Sequence, residues 1–220
     1  MDMKMKQTPR RSRAAQKVFR KQQLIDATID CIDRLGFSDT TLAKVADRAG
    51  VSQGIVIFHF KSKDILFLET LRFMAEEYRN AWATALEEAG EDPVEQLCAV
   101  VRADFNRSVF NRKKIAVWYA FWGESKSRPT YMKECGSLDE AHTEVLCDLC
   151  RKVCDQGGAI VDPQIAAFAI EGMTDSLWQR YLITPKSIKK QEAANASFEL
   201  MKALFPSKAT QIESLKPNKK

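Results

Sequence analysis

The chain has 220 residues, 45% of them hydrophobic and 29% charged, with a formal net charge of +5. That length can bury a real core in one or two domains, and no apolar run approaches the ~20 residues needed to cross a bilayer. The excess cation sits at one end: residues 1–72 carry 14 Lys/Arg against 8 Asp/Glu and the remainder 20 against 21, which points to a phosphate-binding N-terminal part.

Residues 1–15 are polar, contain an Arg cluster and lack an apolar stripe, so they are expected to form a mobile basic arm. Arg10, Arg11 and Arg13 are placed to enter a minor groove or simply to stay solvated. The basic start leads into polar sequence, unlike a secretory signal. A first helix is predicted over residues 16–35, with Leu24, Ala27, Thr28, Cys31 and Leu35 at helical spacing and Gly36 as its stop.

Residues 40–63 then spell two short helices joined by a tight turn. Thr40 or Thr41 caps the first, and Leu42, Val45, Ala46 and Ala49 share one face. Gly50 supplies a left-handed stop, Val51 anchors the turn, and Ser52 caps a second helix from Gln53 to Phe60. Gly54, without a side chain, lets that helix approach a sugar-phosphate strand closely. This succession is the helix-turn-helix that sets a helix in the DNA major groove, although a plain helical hairpin has the same outline.

The segment resembles the DNA-binding domain of the TetR family of bacterial repressors through Thr41, Val45, Ala46, Ala49, Gly50, Val51, Ser52, Gly54, His59, Phe60 and Lys63. Ile57 stands where TetR relatives often carry Tyr, which removes a phenol contact to phosphate. Four further segments are similar to the BetI subfamily, the choline-responsive repressors of betaine synthesis. They are RRSRAAQKVFRKQQLIDATIDCIDRLG, GVSQGIVIFHF, AVWYAFWGES and MTDSLWQRYL. The resemblance implies that Gln53, Gly54, Ile55, Ile57 and Phe58 face the groove. It implies equally that Thr41, Ser52, His59 and Lys63 position the DNA backbone, with Lys63 facing phosphate. A Gln53–adenine contact is one option for base selection.

The remainder reads as helices only. Ser62 caps a helix over residues 63–89, about 40 Å long at 1.5 Å per residue. Further helices are expected over 93–110, 113–125, 129–154, 164–182 and 187–205, followed by a frayed, disordered tail from Pro206. Trp118, Phe121 and Trp122 crowd one helix face, with Tyr119 beside them, and Trp178 and Tyr181 sit on another helix. Aromatic faces attract quaternary ammonium ions. With Asp104, Glu124, Glu171 or Asp175 to complete the charge, Trp118, Phe121, Trp122, Asp175 and Trp178 make a candidate cage for choline or a related compound. Rings at this spacing also make plain core.

Two faces are expected to form a homodimer interface: Ala166, Ala169, Gly172, Met173 and Ser176, and Ala194, Phe198, Met201 and Phe205. The six Cys suit a reducing cytoplasm. Cys147, Cys150 and Cys154 form one helical stripe, suited to core packing, with a redox role open.

The sequence therefore predicts an all-α chain. Its expected parts are the arm (1–15), a three-helix DNA-binding domain (16–62), a helical ligand-binding and dimerisation domain (63–205) and the tail (206–220). The expected function is a cytoplasmic repressor on a near-palindromic double-stranded operator, tuned by a small effector and without cofactor or metal. Choline-to-betaine control is the leading pathway, and a different hydrophobic or cationic effector is the alternative. A nucleophile–base pair and a phosphate-cradling Gly loop, as an enzyme would need, are not seen in the sequence.

Overall fold

The computed structural model describes residues 12–157 and 160–217, all helix and connecting turns, in two compact units, Met1–Thr70 and Leu71–Lys220. Arg10 and Arg11 of the expected arm lie outside the described residues.

The first unit starts earlier than the sequence predicts. Ser12 caps α1 (Arg13–Asp39) by accepting from the Ala15 amide at 3.2 Å, so Arg13 is helical rather than part of an arm. Leu24, Ala27, Thr28, Cys31 and Ile32 form its buried stripe, whereas Leu35 is exposed. Gly36, at φ 79°, breaks the helix where the stop was expected and swings Phe37 inward, edge-on to Phe67 at 4.8 Å. Thr41 caps α2 (Leu42–Ala49) through the Lys44 amide at 3.3 Å, and Gly50 ends it in the left-handed region at φ 65°. The Gln23 amide donates to the Ala49 carbonyl at 2.7 Å, and Arg48 pairs with Asp30, which fastens α2 to α1.

α3 (Gln53–Phe60) buries only Val56 and Phe60. Ser52 occupies its N-cap position but its hydroxyl makes no capping bond, contrary to expectation. A γ-turn centred on Lys61 (φ 64°, Ser62 N–H to Phe60 carbonyl 2.7 Å) leads into α4 (Lys63–Glu88), which Ser62 caps through the Ile65 amide at 3.2 Å.

In the second unit, Asp92, Asn111 and Asp162 cap α5 (Pro93–Ala103), α6 (Arg112–Ser125) and α8 (Pro163–Ile183). α7 (Pro129–Asp155) lies between the last two in sequence and starts with a proline at its first position. α5 ends seven residues before the expected Phe110. Asn106 turns the chain there by accepting from the Ser108 amide at 3.1 Å, and Phe105, Val109 and Phe110 reach the core from this turn instead.

α9 (Lys190–Leu204) buries Ala194, Phe198 and Met201, with Phe205 just beyond it, inside the protomer. Ala166 is buried as well, so these residues are core rather than the interface face the sequence suggested. The tail also departs from expectation. A 3-10 turn (Pro206–Lys208) leads into α10 (Ala209–Ser214), whose Ile212 is 1% exposed and whose neighbour Gln211 donates to Asp92 at 3.0 Å.

Candidate functional site

The first unit presents an unusual surface. Gln53, Gly54, Ile55, Ile57 and Phe58 are all exposed on α3, with Phe58 at 65%. Three large apolar side chains turned to water on one eight-residue helix mark a docking face rather than a core face. Among the described residues, a Cβ at position 54 would meet only the Ser52 hydroxyl at 3.8 Å. A helical glycine costs about 1 kcal/mol against alanine, and its bare surface leaves room for a partner's close approach.

His59 is half-buried, and its proton affinity is lowered by desolvation and by Lys17, Arg20 and Lys21. That cationic field suits phosphate. Lys63 behaves differently from expectation. Its ammonium donates to the Phe37 and Ser38 carbonyls at 3.3 and 3.2 Å and lies 5.0 Å from the Phe67 ring centre. Those bonds make it a strut under the end of α1.

The second unit encloses a cavity of about 490 Å³, built from four helices. Helical spacing explains its walls. Trp118, Trp122 and Ser125 form a stripe of α6; Cys135, Leu138, Asp139 and His142 a stripe of α7; Glu171, Thr174, Asp175 and Trp178 a stripe of α8; and α4 adds Tyr78. Four of the five residues expected to bind a ligand, Trp118, Trp122, Asp175 and Trp178, therefore come together. Phe121 does not. It is wholly buried, edge-on to Tyr131 at 5.3 Å, because its place on α6 turns it towards α7 behind the cavity. Glu124 pairs with Arg128 at 3.3 Å, Tyr119 packs on Trp122, and Tyr181 stacks on Phe110 at 4.5 Å.

The acidic groups give the cavity its character. Asp139, Glu171 and Asp175 line it, and Asp104 lies 1% exposed behind Tyr78, whose hydroxyl donates to it at 2.8 Å. His142 bridges the two layers, with Nε2 3.4 Å from Asp104 and Nδ1 3.6 Å from Glu171. Burial disfavours its charged form, but the two carboxylates outweigh this and lift its pKa to about 10. Thr143 donates to both Glu171 oxygens, at 2.8 and 2.9 Å.

Sequence reasoning missed Tyr78, Asp139 and His142 as parts of this site. The Asp139–His142 spacing of three on α7 was the available signal, since it puts both on the face that also carries Cys135. Among the described residues, no group of three or more His, Cys, Asp or Glu is arranged to hold a metal ion.

Residues 24–70 match the tetR family of bacterial regulatory proteins, and residues 93–206 match the C-terminal domain of BetI-type transcriptional repressors. The chain belongs to the TetR family, with a BetI-type C-terminal domain. The HTH-type transcriptional regulator BetI of Stenotrophomonas maltophilia is 36% identical over 73% of this chain and 80% of its own length. BetI 1 of Chromohalobacter salexigens is 32% identical over 82% of the chain and 88% of its own.

Two solved structures share the fold. A transcriptional regulator from Rhodococcus sp. Rha1 has a TM-score of 0.71 at 20% identity, covering 85% of this chain and 96% of that one. A protein described as a transcriptional regulator from Saccharomonospora viridis, in complex with choline, has a TM-score of 0.75 at 18% identity, covering 84% and 96%. This TetR-family chain is accordingly a transcriptional repressor of the BetI type, and its relatives are named as regulators rather than enzymes.

Proposed function

We propose that this repressor reads a near-palindromic operator with α3 and changes its grip when a small organic cation of the choline class enters the second-unit cavity. The observation that carries the effector reading is the cavity wall. Trp122, Trp178 and Tyr78 offer electron-rich rings, and Asp139, Glu171 and Asp175 offer negative charge, within about 490 Å³. Ring faces contribute ~0.5–2 kcal/mol each towards a quaternary ammonium ion and carboxylates favour it further. The choline held by the Saccharomonospora viridis protein and the BetI name of the curated relatives support the same chemical class.

On DNA, Gln53, Gly54, Ile55, Ile57 and Phe58 meet base edges, with apolar side chains suited to thymine methyl groups. Thr41, Ser52, His59 and Lys61 lie beside the phosphates, while Lys63 acts indirectly by bracing the Phe37–Ser38 turn. One α3 covers only a few base pairs, so two copies act together on half-sites about 34 Å apart or a multiple of it. The stripe of α8 that includes Ile165, Phe168, Gly172, Ser176 and Ile183, all exposed, is the contact face for a cytoplasmic homodimer. An effector shifts the equilibrium only through different affinities for the DNA-competent and incompetent states, and α4, shared by both units, is the covalent path between them.

Titration calorimetry with choline, betaine aldehyde and betaine, beside operator binding with and without each, tests the reading. Saturable choline binding that is lost in Trp122→Ala, with helicity intact, is the expected result. Choline that does not bind, or binds equally well to the variant, overturns it.

A further inference from the structure

The cavity carries more negative charge than a singly charged ligand neutralises. Among the described residues, the charged and titratable groups at the cavity come from four places. α4 gives Tyr78, the turn after α5 gives Asp104, α7 gives Cys135, Asp139 and His142, and α8 gives Glu171 and Asp175; the α6 wall is Trp118, Trp122 and Ser125. Among the described lining residues the one cation is His142, already placed between Asp104 and Glu171, and Glu171 is further held by Thr143.

Asp139 and Asp175 line the cavity with Glu171, one on α7 and one on α8, and neither side-chain carboxylate makes a hydrogen bond or ion pair among the described residues. Desolvation and then the Glu171 carboxylate raise each of them to about 6, with Asp139 and Asp104 adding to the rise at Asp175 and His142 opposing at both. Both residues are exposed to solvent, which screens the repulsion and leaves a proton an exit path.

We propose that the cavity takes up its organic cation in exchange for a proton: one of the lining carboxyls, Asp139 or Asp175, carries it when no effector is bound, and the entering positive charge expels it to solvent. The inference rests on the cation-binding reading of the cavity given above. Only one bond changes, a carboxyl O–H whose proton passes to water or buffer while the carboxylate it leaves faces the bound ammonium.

The direction follows from linkage. The effector binds the deprotonated carboxylates better, so its affinity is full above about pH 7 and falls as pH drops through about 6. One exchanged proton makes the fall approach about tenfold per pH unit.

Two measurements on the full chain test this. The first is the dissociation constant of choline chloride between pH 5 and 8. The second is its calorimetric heat at pH 6 in two buffers of different ionisation enthalpy. Expected are affinity about tenfold weaker at pH 5 than at pH 7.5, buffer-dependent heats showing proton release at pH 6, and a flattened pH profile in Asp139→Asn. Asp175→Asn is the second variant, and flattening in it serves equally should the first fail to fold. Choline that binds with the same affinity across the range and the same heat in both buffers overturns the exchange while leaving the cation site standing. Choline that binds at no pH overturns the site itself, and the exchange with it.

Discussion

Removing the His142 ring tests how the cavity floor is held together. Asp104 is 1% exposed, accepts one hydrogen bond from Tyr78 and lies 3.4 Å from the His142 ring nitrogen. His142→Leu leaves that carboxylate buried without its counter-charge, which costs ~3–5 kcal/mol for a buried pair broken on one side. In a unit of this size each kcal/mol moves the midpoint by about 2–4 °C, so a fall of roughly 6–20 °C is expected in a thermal melt followed by circular dichroism. Asp104→Asn combined with His142→Leu removes both charges and recovers most of the loss.

The pH dependence has a definite sign. Unfolded, the imidazole titrates near 6.5; folded, near 10. Its contribution is fully present below about pH 6.5 and is lost as pH rises through about 10, so the wild type and His142→Leu converge in alkali. A single variant within about 1 kcal/mol of wild type at pH 6, or a gap that does not narrow by pH 10, would refute the reasoning.

Phe58→Ala, at a side chain 65% exposed, leaves the melt unchanged and weakens operator binding about 5–150-fold, as loss of ~1–3 kcal/mol at a base edge requires. Unchanged affinity in a mobility-shift titration counts against α3 as the reader. Trp178→Ala weakens choline binding about 2–30-fold, whereas Phe121→Leu, behind the cavity wall, leaves the dissociation constant where it was. Equal losses in the two would deny the wall its role. Ile212→Ala lowers stability by ~2–5 kcal/mol in denaturant because α10 is packed, and a neutral result would mean that α10 is dispensable.

The helix-turn-helix was legible in the sequence because its signals are local. Thr41, Gly50 and Ser62 act through caps and a left-handed turn that depend on the next few residues alone. The four cavity residues named from sequence were legible because Trp118–Trp122 and Asp175–Trp178 are three or four apart on single helices. Asp139, His142 and Tyr78 joined them only through packing of α4, α7 and α8, which no local spacing encodes. The same limit placed Phe121 wrongly, since periodicity shows that it shares a face with Trp118 but not which neighbour that face meets. α9 misled for the converse reason: Ala194, Phe198 and Met201 make an apolar stripe whether its partner is this chain or a second copy, and here it is this chain. The tail composition read as frayed because Ile212, the one buried side chain among its described residues, is an anchor in a polar stretch.

The most direct test follows fluorescence anisotropy of a labelled near-palindromic duplex from the chain's own upstream DNA, titrated with this repressor at pH 7.5 with and without saturating choline. Coupling of ~1–3 kcal/mol between cavity and reader predicts a five- to 150-fold change in operator affinity, absent in Trp122→Ala. Choline that saturates the cavity and leaves operator affinity unmoved would contradict the account.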